Sequence, residues 1–358
     1  MRQNTKSAGS RACSGRKWGL QREGPSRVNE GVRVGMKGDS INVTQDDALS
    51  DRTSGKGVRA WVVIVAALVI VLVGVVACAG AKQTSKVREA ESKLDEAVSL
   101  LADVEDAVIA ADDVIQAEIT PTLETTATAA LAMLPQARTD LGRAIGLLTA
   151  ARPDLREDDQ VLAQVLQTAA EARSDMLDEA EKILSANKAA AGALQPATDA
   201  WALVAAAEKL SQDAVAQYNK HTTDSVKQST AFSTQAKLKL AEARSALGTA
   251  TATFPDADLT RFVEYIDARY KLLDSSIAID TAWLGGKVEQ ANGMLAAYAA
   301  EEAALIELGK KLPTSPTVAI ADAYEALAAE PTDRYYTARD RARAADDQVR
   351  ELGAKTEE

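Results

Sequence analysis

The sequence of 358 residues is acidic and poor in reactive side chains, with a formal net charge of −11, two cysteines and one histidine. From Lys82 onward it carries 29 basic against 46 acidic side chains, which argues against nucleic acid or an anionic lipid surface as the main partner. Because no cysteine follows Cys78, we expect this part to be stabilised by helix packing without a disulfide.

The first 59 residues form a basic segment without apolar periodicity, with 12 Lys or Arg against 6 Asp or Glu. We expect residues 1–59 to be a disordered tail in the cytoplasm. Residues 1–35 are rich in Arg, Gly and Ser and are more typical of translated upstream sequence. Met36 is therefore an alternative to Met1 as the start of the natural chain.

An uncharged apolar segment covers residues 60–81. At about 1.5 Å per residue it spans roughly 33 Å as a helix, enough for the hydrocarbon core of a bilayer. Arg52, Lys56 and Arg59 precede it, so the positive-inside bias predicts that the N-terminus is cytoplasmic. The sequence therefore predicts a single N-terminal membrane segment with the acidic part outside.

The end of this segment, Val75-Val76-Ala77-Cys78, places a small residue before a cysteine. These four residues resemble a bacterial lipobox, which implies cleavage before Cys78 and lipid modification of that cysteine. A leader of 59 residues is long for a signal peptide, so a transmembrane helix and a lipoprotein signal both stay open. Either interpretation places residues 82–358 outside a bacterial cytoplasmic membrane.

Residues 82–196 carry apolar side chains at every seventh position. The two stripes are Val87, Leu94, Leu101, Val108 and Ile115, and then Leu162, Ala169, Met176 and Ile183. Such spacing predicts helices with one narrow apolar face. Thr120-Pro121, Pro135 and Pro153 predict helix ends or kinks, and short connections favour antiparallel neighbours. We therefore predict an antiparallel helical bundle or coiled coil whose last helix ends at Gly192 and Pro196.

Aromatic residues distinguish the remaining part, residues 197–358, from this bundle. Residues 82–200 contain no Phe, Trp or Tyr, whereas residues 201–358 contain twelve. Loop signals divide this part at Phe254-Pro255-Asp256, at Gly285-Gly286, between Leu312 and Pro316, and at Glu330-Pro331-Thr332. Since no run alternates β-branched with polar residues, the sequence predicts a second, all-α domain and an all-α fold for the whole exported part.

Two stretches within residues 227–300 have small residues at helical spacing. Ala243-x3-Leu247-x2-Ala250-x4-Pro255 resembles the second helix of a tetratricopeptide repeat, and Gly286-x4-Ala291-x3-Leu295-x2-Tyr298 is similar. The resemblance implies stacked helical hairpins. An irregular helical bundle with similar local packing is the alternative, because the two stretches are 48 residues apart.

The distal aromatic residues are the best candidates for a binding surface, since partner-contacting grooves favour Tyr and Trp. Burial in a helical core is the alternative. The residues predicted to contact a partner are Trp201, Tyr218, Tyr270, Trp283, Tyr298, Tyr335 and Tyr336. Because Tyr335 and Tyr336 are adjacent, they cannot both face one side of a helix, and we expect one of them to be exposed.

The residue combinations that catalysis requires are missing from residues 82–358. His221 has no histidine companion, and Gly285-Gly286 lacks the further glycines of a phosphate loop. Acidic clusters are typical of solvated helix faces; they are Asp112-Asp113, Glu157-Asp158-Asp159, Glu301-Glu302 and Asp346-Asp347. We therefore expect no catalytic residue, no metal site and no cofactor.

These observations favour a non-catalytic, membrane-anchored helical protein that binds a protein partner or associates with itself at the outer face of the membrane. Its function would then be that of a protein-binding or scaffold module of the bacterial cell envelope. The alternatives are an extracytoplasmic sensor that signals through its anchor and a surface lipoprotein that binds a small ligand. No feature of the sequence predicts a nucleic-acid partner.

Overall fold

The computed structural model describes residues 85–356, and this part of the chain is all α-helical. Its seven helices are α1 (Ser85–Ile115), α2 (Leu123–Ala151), α3 (Glu157–Tyr218), α4 (Thr223–Thr253), α5 (Thr260–Leu284), α6 (Val288–Gly309) and α7 (Pro316–Thr356). A short 3₁₀ helix, Arg152–Asp154, links α2 to α3. No strand occurs within residues 85–356, which confirms the all-α prediction there.

No helix within residues 85–356 is long and apolar enough to cross a bilayer. The predicted membrane segment, residues 60–81, lies outside the described residues, and so do Cys78 and the basic tail, residues 1–59. An anchored chain, a lipidated cysteine and a cytoplasmic tail therefore stay predictions.

The seven-residue stripe of α1 is buried, as its spacing predicts. Leu94, Leu101 and Val108 are at most 9 % exposed, and Ala97 and Ala111 between them are inaccessible. The partner helices belong to the same chain, because α1 packs on α2 and α3. The stripe is thus one side of an intramolecular bundle.

Ion pairs between facing helices establish the directions within this first bundle. Arg173 on α3 pairs with Asp346 on α7, and Asp175 pairs with Arg341, so α3 and α7 are antiparallel. Corresponding pairs show that α1 runs parallel to α3 and that α2 runs antiparallel to α3. The bundle therefore consists of α1, α2, the first half of α3 and the second half of α7.

Helix α7 connects the two halves of the described chain. Near its start, Ile320 packs in a buried cluster with residues of the second half of α3, α4 and α5. Further along, Tyr335, Ala338 and Val349 pack in the cluster formed by α1, α2 and the first half of α3. The aromatic-containing part thus supplies the fourth helix of the first bundle.

Three prolines lie within helices that continue through them, contrary to the sequence prediction. Pro135 lies within α2, Pro196 within α3 and Pro331 within α7. A proline inside a helix costs about 3 kcal/mol, since it removes one hydrogen bond and crowds the preceding turn. Buried neighbours offset this cost; around Pro196 they are Ala193 and Ala197, both inaccessible. The predicted helix end at Gly192 and Pro196 is therefore wrong, whereas a domain division at residue 196 stays a prediction.

The loops agree with the sequence signals more closely than the interior prolines do. Gly286 has φ +74° in the turn between α5 and α6, a left-handed conformation that glycine adopts without strain. The first predicted junction is displaced, because α1 ends at Ile115 and α2 begins at Leu123. Thr122, and not Thr120, precedes α2, and its side chain makes no capping hydrogen bond.

The distal helices α4 and α5 form an antiparallel pair beside the second half of α3. Arg244 pairs with Asp267 and Lys237 with Asp274, so the two helices run in opposite directions. Helix α4 has 31 residues, nearly the 34 residues of a whole tetratricopeptide repeat. The helix lengths therefore do not fit the repeat that the small-residue spacing resembles, and the distal helices form an irregular bundle.

Candidate interaction surface on helix α6

Helix α6 is the most apolar of the seven described helices and has the fewest buried residues. Only Ala291 and Leu305 on it are buried. It packs on α5, where Glu301 accepts a hydrogen bond from Ser275 at 2.7 Å and pairs with Lys271 at 3.2 Å. The opposite side of this apolar helix faces solvent, as is typical of interaction sites.

The outer face of α6 consists of small exposed residues, namely Gly293, Ala296, Ala297, Ala299, Ala300, Ala303 and Ala304. At its edge lie Val288 and Ile306, which are 46 % and 52 % exposed. A Cβ added at Gly293 would meet no atom within 4 Å, so the face is open. Small side chains allow the axis of a second helix to approach closely.

Exposed charged residues lie at the two ends of this face. Glu289 is in the first turn of α6, whereas Glu307, Lys310 and Lys311 are at the other end. Lys310 donates to Glu307 at 2.7 Å, and this hydrogen bond holds the pKa of that carboxyl below its usual range. One end of the outer face is therefore acidic, and the other carries an excess of positive charge.

The first aromatic group of the predicted binding surface belongs to the distal core. The ring of Trp201 meets Phe262 edge to face, with 5.3 Å between the centroids, and lies 6.2 Å from Tyr265. The Tyr265 hydroxyl donates to Glu208 at 2.5 Å. Trp201 therefore packs α3 against α5, and core packing accounts for it.

A second aromatic group lies where α3 and α5 end and α6 begins. Tyr218, Trp283 and Tyr298 are half-buried around a small cluster that contains Ile279 and Ala291. Burial raises the pKa of Tyr298 to about 12, so this phenol is neutral at physiological pH. The group supports α6 from beneath and is separate from its outer face.

Tyr270 is the most exposed of the predicted aromatic residues, at 37 %. Lys237 lies with Nζ 4.3 Å from the centroid of its ring and also pairs with Asp274. Such an exposed cation–π contact contributes about 0.5–1 kcal/mol. Tyr270 is thus engaged with α4 and lies apart from the other aromatic residues.

Tyr335 and Tyr336 lie in the first bundle, far along the chain from the distal aromatic residues. Tyr335 is 1 % exposed, and its hydroxyl donates to Asp112 at 3.1 Å. Tyr336 is half-buried, with its ring edge against Tyr335 at 5.5 Å and the Arg339 guanidinium 5.8 Å from its centroid. The expectation that one of the two is exposed is therefore wrong.

Charged residues meet inside the first bundle, between α1, α3 and α7. Arg173 donates two hydrogen bonds of 3.1 Å to Asp346 and lies 3.6 Å from Glu105. Burial raises the pKa of both carboxyls, while the nearby guanidinium opposes the shift. In the same bundle, Arg339 donates to buried Asp112 at 3.0 Å. These groups connect α7 to the other helices and have the geometry of a structural network.

The acidic clusters are less solvated than the sequence predicts. Asp112 is 4 % exposed, and Asp346 and Glu302 are half-buried. The spacing contains a signal for Asp112, because Glu105 and Asp112 are seven residues apart and follow the stripe residues Val104 and Ala111. His221, by contrast, is exposed, as expected for a lone histidine.

Asp280 is a second buried carboxyl, on α5 beside α4. It is 1 % exposed and accepts a hydrogen bond from the Thr230 hydroxyl at 3.1 Å. Burial raises its pKa to about 6, and hydrogen bonding opposes the shift only in part. This carboxyl therefore changes charge within the range of pH that bacteria meet outside the cytoplasm.

Comparisons of the chain with protein-family models, with curated proteins and with solved structures give no match. Within residues 85–356, no group of three or more His, Cys, Asp or Glu residues is placed to hold a metal ion. The outer face of α6 is therefore identified from its own exposure and composition. Sequence reasoning missed it because an alanine-rich helix is normally assigned to a core.

Proposed function

We propose that this protein is a non-catalytic, membrane-anchored module of the bacterial cell envelope that binds protein partners or scaffolds an assembly outside the cytoplasmic membrane. The exposed apolar outer face of α6 carries this proposal. A soluble helix normally buries an apolar face, and α6 leaves half its surface, mostly alanine, to solvent. A protein partner would remove this apolar surface from water.

The length of α3 supports the same function, because it separates the face from the predicted anchor. Ser85 begins α1 only a few residues after the predicted membrane segment, and Glu91 on α1 pairs with Arg156 at the start of α3. Helix α6 lies near the end of α3, beside Tyr218. With about 1.5 Å per residue over its 62 residues, α3 holds the face roughly 80–90 Å from that point.

Replacing Ala300 with Arg in the full-length chain tests the proposed function. We expect Ala300→Arg to lose crosslinked protein partners from native membranes, because a long charged side chain blocks close helix approach. The matched control is Ala241→Arg on α4, where the alanine is equally exposed but lies outside the outer face. If both variants retain the same crosslinked proteins as the parent, the outer face of α6 is not a binding site.

A further inference from the structure

We propose that the outer face of α6 binds the same face of a second copy of this chain, with the two α6 helices antiparallel. This inference rests on the proposed function, since it names the partner of the same surface. The charges at its ends select the partner and the direction. Glu289 lies at one end of the face, and Lys310 and Lys311 lie at the other.

An antiparallel pair centred between Ala299 and Ala300 brings the two ends of opposite charge together. Glu289 of each copy then lies opposite Lys310 of the other copy, and this contact occurs twice by the two-fold symmetry. A parallel pair would instead place Glu289 against Glu289 and lysine against lysine, which is unfavourable. Antiparallel helix dipoles add to the preference.

The same register matches the small residues along the face. Ala296 of one copy lies opposite Ala303 of the other, and Ala299 lies opposite Ala300. Ile306 then lies over Gly293, where an added Cβ would meet no atom of its own chain within 4 Å. Alanine and glycine along the centre allow the two helix axes to approach closely, while the larger Val288 and Ile306 cover the edges.

The size of the contact predicts that the pair forms on membranes rather than in dilute solution. A 22-residue helix is roughly 33 Å long and about 10 Å wide, so the two faces together would bury on the order of 700 Å². Stable dimers usually bury about 1,200 Å² or more. Confinement of anchored chains to one membrane raises their effective concentration and compensates for the small area.

Disulfide crosslinking of the full-length chain in its own membranes tests the pairing. We expect oxidation of the Ala300→Cys chain to produce a species of twice the chain mass, since the two sulfur atoms meet near the two-fold axis. The parent chain, which contains Cys13 and Cys78, and the Ala241→Cys chain give the background. Absence of the crosslinked species above this background would overturn the proposal.

The direction is tested by Ala296→Cys and Ala303→Cys. Co-expressed, the two chains should crosslink to each other, whereas each alone should not, because its two copies lie about 10 Å apart along the axis. Efficient crosslinking of each alone would show a parallel pair and overturn the proposal.

Charge reversal separates specific pairing from general stickiness. In the Ala300→Cys background, Glu289→Lys should lose the crosslinked species, and the further changes Lys310→Glu and Lys311→Glu should restore it. Loss without restoration would contradict the antiparallel contact. If crosslinking between copies fails while Ala300→Arg still removes other proteins, self-pairing is wrong and the proposed protein-binding function stands; if neither is seen, both fail.

Discussion

Replacing Arg173 with Met is expected to lower the free energy of unfolding by about 3–5 kcal/mol, because it leaves two buried carboxylates without their cation. Glu105 and Asp346 both lie within 3.6 Å of this guanidinium, and the Arg173 side chain is 5 % exposed. For a chain of this length the melting temperature should fall by on the order of 10 °C. Helix unfolding followed by circular dichroism measures the change.

Arg341→Met is the matched control for this prediction. Arg341 pairs with Asp175 across the same two helices, α3 and α7, but both side chains are 54 % exposed. Exposed pairs contribute about 0–1 kcal/mol, so this variant should unfold close to the parent. The loss in Arg173→Met should also shrink at low pH, where the orphaned carboxyls take up protons. Equal losses in the two variants would contradict a buried network.

Replacing Asp280 with Asn is expected to stabilise the protein at pH 7 by about 2–3 kcal/mol. Burial raises the pKa of Asp280 in the folded protein to about 6, above its ordinary value of 3.8. As pH rises, the unfolded chain therefore loses this proton first, and the folded protein loses stability between about pH 4 and pH 6. Each unit of pKa shift corresponds to about 1.4 kcal/mol, and Asn removes the titration.

Unfolding measured at pH 4 and at pH 7 checks this sign. The parent should be less stable relative to Asp280→Asn at pH 7, and the difference should nearly vanish at pH 4. Asp274→Asn on the same helix is the control, because the Asp274 side chain is 55 % exposed and its pair with Lys237 is at the surface. A stabilisation that is the same at both pH values would mean that ionisation of Asp280 is not its cause.

Local patterns predicted the parts of the fold in which local and tertiary preferences agree. The heptad from Leu94 to Val108 identified the buried face of α1, and Gly285-Gly286 identified the turn before α6. Both signals are short in range, since one concerns successive turns of a single helix and the other a backbone conformation. The all-α class and the antiparallel pairing of successive helices follow from many such signals.

The remaining features depend on contacts between residues far apart in sequence. Pro196 and Pro331 lie within continuous helices because buried neighbours outweigh a local penalty, and the sequence does not state which neighbours are buried. The return of α7 to α1 joins Tyr335 to Asp112, which are 223 residues apart. The seven aromatic residues therefore separate into several groups, and the candidate surface lies on alanines instead.

Labelling of single cysteines in intact cells tests the central claim most directly. A membrane-impermeant maleimide is applied to cells that carry the full-length chain with Ala241→Cys or with Ala300→Cys, and the parent chain gives the background. The account predicts rapid labelling at position 241, which is exposed outside the cytoplasm, and slow labelling at position 300, which a partner covers. Labelling of both positions only after lysis would contradict the extracytoplasmic location, and equally rapid labelling of both in intact cells would contradict the covered face.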